Sequence, residues 1–337
     1  MEILLPFLLV ILASFFQGSF GLGMKYMEPL KWEAWWIVHV TIAMIIFPIA
    51  WAILAVPNLF QVIANAPSEA LFLGMLFGFL WGVGGILFGK SVPYIGLSLT
   101  YGIVMGLAAS VGSIIPLLQV ENAFSNPTTT YVILAVIIMF VGVALTAKAG
   151  IERDKLTGDT NDPSNISKGI FIAVSCGVLS ALLNVGFANA TPVAVEAEKM
   201  GALTRNSSLA AWVVVLLGAF AMNLAYAVVL LFKNKSWNSF RAPVSGNAYK
   251  WAILAGLFWF AALGIYGQGS ALMGTMGPII GWPMLLGLSL IISNIWAVRS
   301  GEWKDAKKPF KLMLVGLAVI ILASCFEFRS RSLYFLE

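Results

Sequence analysis

The side chains able to do chemistry inside the apolar stretches of this chain are amides and aromatics. They are Gln17, Asn184, Asn189, Asn223, Gln268 and Asn294, with Trp81, Tyr101, Trp259, Tyr266 and Trp282. An amide in hydrocarbon is costly unless it is hydrogen-bonded, so each has two readings. It can tie one helix to another, or the group can receive a neutral polyhydroxylated ligand. An amide offers two donors and an acceptor to vicinal hydroxyls, and an indole face covers the C–H side of a sugar ring. The candidate substrate-binding set is Gln17, Trp81, Asn184, Asn189, Trp259, Tyr266, Gln268 and Trp282. Of these, Gln17, Trp81, Asn189, Trp259 and Gln268 are expected to approach one central cavity. No Asp, Glu, Lys or Arg falls at mid-depth, which argues against a cationic cargo, because such a cargo needs a carboxylate partner there. His39, the one histidine, is the natural candidate for proton coupling, since imidazole titrates near neutrality. Its competing reading is an interfacial histidine with a satisfied partner. Glu33, Glu69 and Glu327 fall at helix ends, where a carboxylate needs no special account. Metal-ligand clusters, phosphate-binding glycine loops and His–carboxylate pairs at helical spacing are missing, so the sequence predicts neither an enzyme nor a cofactor.

The elements that must hold these groups follow from composition. Hydrophobic residues make up 60% of the 337 and charged ones 10%, where a soluble domain carries roughly 25% charged. Such a chain has lipid as its solvent. No charge occurs between Glu33 and Glu69, or between Lys250 and Arg299, and the second stretch accommodates two spans and a turn. The runs and the turn formers between them predict an all-α integral membrane protein of ten transmembrane helices. These lie near 2–24, 35–56, 69–89, 94–118, 128–148, 168–189, 207–232, 250–271, 276–298 and 309–327. Barrel strands would alternate over about 10 residues, and these runs do not. Residues 3–24 lack a basic region before them and read as a span rather than a leader. Cys176 and Cys325 lie in apolar runs and read as buried small hydrophobes.

Charge sets the orientation. Of the 20 Lys and Arg, all but Lys199, Arg205, Arg329 and Arg331 fall in or beside the joins after helices 1, 3, 5, 7 and 9. The positive-inside rule puts those joins in the cytoplasm and both termini outside. The pI near 9.2 reflects this asymmetry, and no nucleic-acid partner is expected. A polar join at 149–167 divides the chain into halves of five helices, 1–148 and 168–328; residues 329–337 are set aside as a candidate tag remnant. The halves echo each other. Gly78, Trp81, Gly89 and Gly96 match Gly256, Trp259, Gly267 and Gly274 at one shared offset, and Leu12, Gln17 and Phe20 match Leu179, Asn184 and Phe187 at another. An odd number of helices per unit inverts the second copy, the plan of many secondary transporters with a site near the midplane.

The segment Trp81-Gly-Val-Gly-Gly through Phe88-Gly89-Lys90, then Pro93 to Ser98, resembles the L-rhamnose–proton symporter family of the drug/metabolite transporter superfamily. Lys31 to Trp36, Phe187 to Pro192, Tyr266 to Gln268, and Gly301 to Trp303 with Lys308 and Pro309 are similar to further stretches of it, so the resemblance spans about 2–327. It implies ten helices, outside termini in a bacterial inner membrane, and uptake of a deoxysugar with protons by a monomer. Glu33, inside a family-like segment, becomes the second candidate for coupling. The chain departs from the family pattern in the sparse basic residues after helix 1, Lys25 and Lys31, in the bland run 278–288, and at His39. The alternatives are a drug, metabolite or amino-acid exporter of the same superfamily, or a channel-like protein without coupled transport.

Overall fold

The computed structural model describes residues 4–121, 127–157 and 166–334. Among them, ten helices are long and apolar enough to cross a membrane. They are helix 1 (Leu4–Tyr26), helix 2 (Trp32–Ala55), helix 3 (Ser68–Ile95), helix 4 (Leu99–Gln119) and helix 5 (Thr129–Leu156). Helix 6 (Ile166–Lys199), helix 7 (Thr204–Asn234), helix 8 (Gly246–Leu272), helix 9 (Gly274–Arg299) and helix 10 (Lys307–Phe326) complete the set.

The outward faces are hydrocarbon. On helix 1, Leu4, Leu8, Ile11 and Phe15 form one exposed stripe at helical spacing, as a lipid-facing side requires. The inward faces pack through small residues, because lipid gives helices no hydrophobic reason to associate and close backbone approach must supply the contact energy. Helices 3 and 7 cross most tightly. A Cβ on Gly78 would collide with the carbonyl oxygen of Val215, and one on Gly218 with that of Met75.

Five elements differ from the sequence reading. Helix 3 does not stop before Pro93 but runs on to Ile95. The break falls on Gly96 alone, at φ 79°, a conformation open to glycine without a Cβ clash, and the helical stretch resumes at Leu97, two residues before the apolar span of helix 4. Helix 5 continues through much of the polar join, the helical stretch ending at Thr157; residues 158–165 of that join lie outside the described set. Two short helices, Leu59–Asn65 and Thr191–Lys199, occupy stretches read as joins. The last helix runs on to Tyr334, so 329–334 continue a helix rather than forming a separate tail. Cys176 is buried, its thiol directed at the Gly84 carbonyl 3.1 Å away, while Cys325 is exposed on an outward face.

Within helix 2, Ile42–Ile46 form a π-helical turn just before Pro48. Proline lacks an N–H and crowds the carbonyl four residues back, and a wider turn at that point relieves the clash.

The joins after helices 1, 5, 7 and 9 meet at one end of the bundle, here called the basic end. Glu302 accepts from Lys25 Nζ at 3.0 Å and from Arg153 Nη1 at 3.3 Å, and the Arg153 guanidinium lies over the Trp303 ring at 4.9 Å. Glu33 accepts from Asn234 Nδ2 at 3.1 Å and from the Ser236 hydroxyl. The join after helix 3 is held separately, against the start of helix 6: Ser91 Oγ donates to the Gly169 carbonyl at 3.1 Å, and Lys168 Nζ sits 5.1 Å from the Tyr94 ring centroid.

Candidate functional site

Trp81, Trp259 and Gln17 lie on inward-facing sides of helices 3, 8 and 1. Trp81 on helix 3 and Trp259 on helix 8 meet with ring centroids 5.5 Å apart. Trp259 is buried and Trp81 half-buried, so Trp81 is the ring with free surface. Gln17 lies on the side of helix 1 opposite its lipid stripe, and its Oε1 is buried without a hydrogen-bond partner. An unpaired buried amide oxygen is uncommon and costs free energy; it marks a position where a hydroxyl donor would be welcome.

The space beside these groups opens toward the basic end. Among the described residues, helices 3 and 4 make no close packing with helices 1 and 2. A Cβ added to Gly85 or Gly89 on helix 3, or to Gly21 on helix 1, would meet nothing within 4 Å. Gly85 and Phe88 follow Trp81 at helical spacing, so they share its inward face. Phe88 in turn touches Tyr101 on helix 4, at 6.2 Å between centroids. Tyr101 is 38% exposed.

Asn184, Tyr266 and Trp282 do something else. Asn184 Nδ2 donates to the carbonyls of Gly112 and Pro278, each at 2.8 Å, and its Oδ1 accepts from Tyr266 OH at 2.6 Å. Trp282 Nε1 donates to the Ala108 carbonyl at 3.0 Å, and Ser113 Oγ to that of Ile279. These bonds stitch helices 4 and 6 to helices 8 and 9 at the end away from the basic joins. The aromatic rings of Phe187, Trp212, Tyr266 and Trp282, one from each of helices 6 to 9, form a contiguous buried layer beside them, the first two stacked at 4.4 Å. The three predicted ligand groups are thus satisfied by protein in this conformation, and act as a seal.

Asn189 and Gln268 lie near that sealed end, away from the central gap where the sequence expectation put them. Asn189 Nδ2 donates to the Val185 carbonyl at 2.8 Å and approaches Gln119 Oε1 at 3.5 Å, while Gln268 Nε2 approaches Asn206 Oδ1 at 3.4 Å. Asn189 lines a cleft of about 680 Å³ on that end, with Asn65, Gln119 and Glu196 among its neighbours.

The two coupling candidates are also placed. His39 is 1% exposed, two turns into helix 2, stacked on Trp35 at 5.3 Å and flanked by Trp36 and Phe20. Its ring bonds the backbone of Ala252, and Nδ1 has no partner. Glu33 is 5% exposed, and its two hydrogen-bond donors are neutral. Sequence reasoning undervalued Asn223, which accepts from Trp36 Nε1 at 3.0 Å, and Tyr101. The signal for Tyr101 was its place within reach of the Trp81 segment.

Comparison with known proteins carries the reading further. The chain is 27% identical over 309 residues to the L-rhamnose-proton symporter of Yersinia pestis (strain Pestoides F), covering 89% of this chain and 90% of that protein. It is 27% identical over 317 residues to the symporter of the same name from Mannheimia succiniciproducens, covering 91% and 92%. A crystal structure of another protein superposes with a TM-score of 0.54 at 13% identity, over 95% of this chain and 98% of that one, a likeness of fold alone. Residues 2–327 match the family model described as L-rhamnose-proton symport protein (RhaT), and with ten apolar spans arranged around an interior lined by Trp81, Trp259 and Gln17, the chain belongs to that family.

Proposed function

We propose that this protein takes up L-rhamnose, or a closely related deoxysugar, together with a proton, by alternating access across a bacterial inner membrane. The observations that carry the reading are the Trp81–Trp259 pair between helices 3 and 8 and the buried, unpaired Gln17 oxygen on helix 1. A half-buried indole supplies the platform for the apolar side of a sugar ring. The unpaired amide oxygen and the Tyr101 phenol supply hydrogen-bonding groups for hydroxyls. A neutral cargo suits a gap without a fixed charge.

Alternating access requires two arrangements of one scaffold. The helix pairings support an inverted-repeat origin for them: helix 3 packs on 6 and 7, helix 8 on 1 and 2, and helices 4 and 9 and helices 5 and 10 pair with each other. Exchanging each helix for the one five places away maps this set onto itself. The charge asymmetry makes the basic end cytoplasmic and both termini periplasmic, so the conformation described here is open inward. One chain contains the whole gap, which suits a monomer. For the proton, His39 and Glu33 remain the residues of choice, each nearly fully buried at the helix 2 end that a rocking motion would displace.

The decisive experiment is uptake of labelled L-rhamnose into proteoliposomes with an imposed pH gradient. Wild type accumulates sugar only with the gradient, and Trp81→Ala lowers the rate by at least about tenfold at subsaturating sugar, the equivalent of about 1.4 kcal/mol of binding. Gradient-independent entry, or an undiminished Trp81→Ala protein of normal folding yield, would overturn the reading. His39→Gln and Glu33→Gln, tested for rhamnose-driven proton movement and for counterflow, separate the coupling group from a structural one: its loss abolishes the first and spares the second.

A further inference from the structure

The cleft at the sealed end is separate from the gap. We propose that it is a second, weaker site for the same class of neutral polyhydroxylated molecule, a loading vestibule occupied while the seal beneath it is shut. This inference rests on the sugar-transport reading above.

Three chain segments that are distant in sequence build the cleft. Asn65 comes from the short helix before helix 3, Gln119 from the end of helix 4, Asn189 from helix 6, and Thr191, Glu196 and Lys199 from the short amphipathic helix that ends it. That helix buries Val193, Ala194 and Ala197 and presents Thr191, Pro192, Val195, Glu196 and Lys199 to the opening. The volume, about 680 Å³, falls within the range of about 300–1,000 Å³ usual for small-molecule sites.

The lining selects by charge and by hydrogen bonding. Glu196 Oε2 and Lys199 Nζ are paired at 3.0 Å, so the charges in the wall cancel and favour a neutral guest. The Glu196 side chain is only 18% exposed, against 67% for Lys199, which fixes the carboxylate more firmly than its partner. Its Oε1 is left to accept from a hydroxyl, and a carboxylate accepts more strongly than a neutral oxygen. Asn189 Nδ2 is committed to Val185 and Gln119, so Asn189 Oδ1, Gln119 Nε2 and the Asn65 amide complete a ring of donors and acceptors. Among the described residues, none that lines the cleft is aromatic. The guest is therefore held by its hydroxyl edges without ring stacking, which keeps affinity low and release fast.

Its position fits a vestibule. Gly74 on helix 3 packs against Ala190 beside the cleft, and it precedes Trp81 by seven residues, or about 10 Å along the helix. The Asn184 bonds and the Phe187 layer occupy that interval. A sugar waiting in the cleft is one seal away from the tryptophan pair.

The test is equilibrium binding of radiolabelled L-rhamnose to the intact protein in nanodiscs, alongside uptake kinetics. Wild type is expected to bind a second molecule at high sugar, Trp81→Ala to retain only the weak one, and Glu196→Gln to lose only the weak one. Glu196→Gln should raise the half-saturating concentration for uptake by about tenfold, the loss of one good hydrogen bond, with the maximal rate unchanged. Gln119→Ala, on the opposite wall, should move it in the same direction. Wild type saturating at one tight molecule, with unchanged half-saturation in both cleft variants, overturns the vestibule and leaves the transport reading standing. Wild type that binds and transports no rhamnose overturns both.

Discussion

The two ends of the bundle carry similar materials in opposite conditions. At one, Asn184 has all its amide groups bonded and four aromatic rings from helices 6 to 9 form one buried layer. At the other, Gln17, which matches Asn184 in the internal repeat, keeps an unpaired oxygen, and a Cβ at Gly21, Gly85 or Gly89 would meet nothing within 4 Å. The ties present at the basic end do not cross that opening. Glu302 and Glu33 fasten the joins beside helices 1, 2, 5, 7 and 9 to one another, while helix 3 is fastened to helix 6. Closure, then, depends on amides that cross between helix groups, and ion pairs inside one group leave the gap unaffected.

Breaking the crossing amide should have the largest effect. Asn184→Ala leaves the Gly112 and Pro278 carbonyls and the Tyr266 hydroxyl without their buried partner, at a cost of about 1–3 kcal/mol for each group left unsatisfied. A clearly lowered thermal unfolding midpoint in detergent is expected, together with labelling of a Gly281→Cys variant from the formerly sealed side. A normal midpoint and no new labelling would show that the seal is held by the aromatic layer alone.

An intermediate effect is expected from filling the gap. A Cβ at Gly85 meets no atom within 4 Å, and Gly85→Leu replaces a poor helix former with a good one, worth up to about 1 kcal/mol. The melting temperature should hold or rise, while rhamnose counterflow should fall by about tenfold or more, since one bulky side chain in the closing path at a cost of about 1.4 kcal/mol already has that effect. Counterflow at the wild-type rate would mean that the gap never closes during turnover.

Glu302→Gln should matter least. It removes two partly exposed ion pairs, 3.0 and 3.3 Å long, each worth about 0–1 kcal/mol, and both lie within one helix group. Labelling of a cysteine at Gly85 should be unchanged. A strong loss of labelling would place Glu302 in the gate and undo the distinction drawn here.

Much of this was legible in the sequence, and the limits have physical causes. The ten spans stood out because charge is excluded from hydrocarbon, and the Trp81–Trp259 pairing was signalled by their shared offset in the repeat. The short helix Leu59–Asn65 was hidden because Pro57, Asn58 and Pro67 bracket it with turn signals. The continuation of helix 5 was hidden because polar residues fit a helix that projects beyond the lipid. The roles of Asn184, Tyr266 and Trp282 were least accessible. An intramembrane amide announces that it needs partners, but its residue type does not say whether a ligand or a neighbouring helix supplies them. Gln17 and Asn184, matched in sequence, illustrate both answers in one molecule.

The single-residue break at Gly96 couples two helices mechanically. With Ser91 Oγ and Thr100 Oγ1 3.1 Å apart across the turn and no loop to absorb slack, helices 3 and 4 form one lever. Its fulcrum is the crossing where Gly78 and Gly218 bring backbones into contact, and Gly96 lies eighteen residues away, an arm of about 27 Å. A tilt of about 10° sweeps that tip through about 5 Å, comparable to the thickness of a sugar ring and its contacts. Spin labels at Val92 and Met27 should report the stroke as a shortening of about that size when sugar and proton are both present; a fixed distance would mean the hairpin does not pivot there.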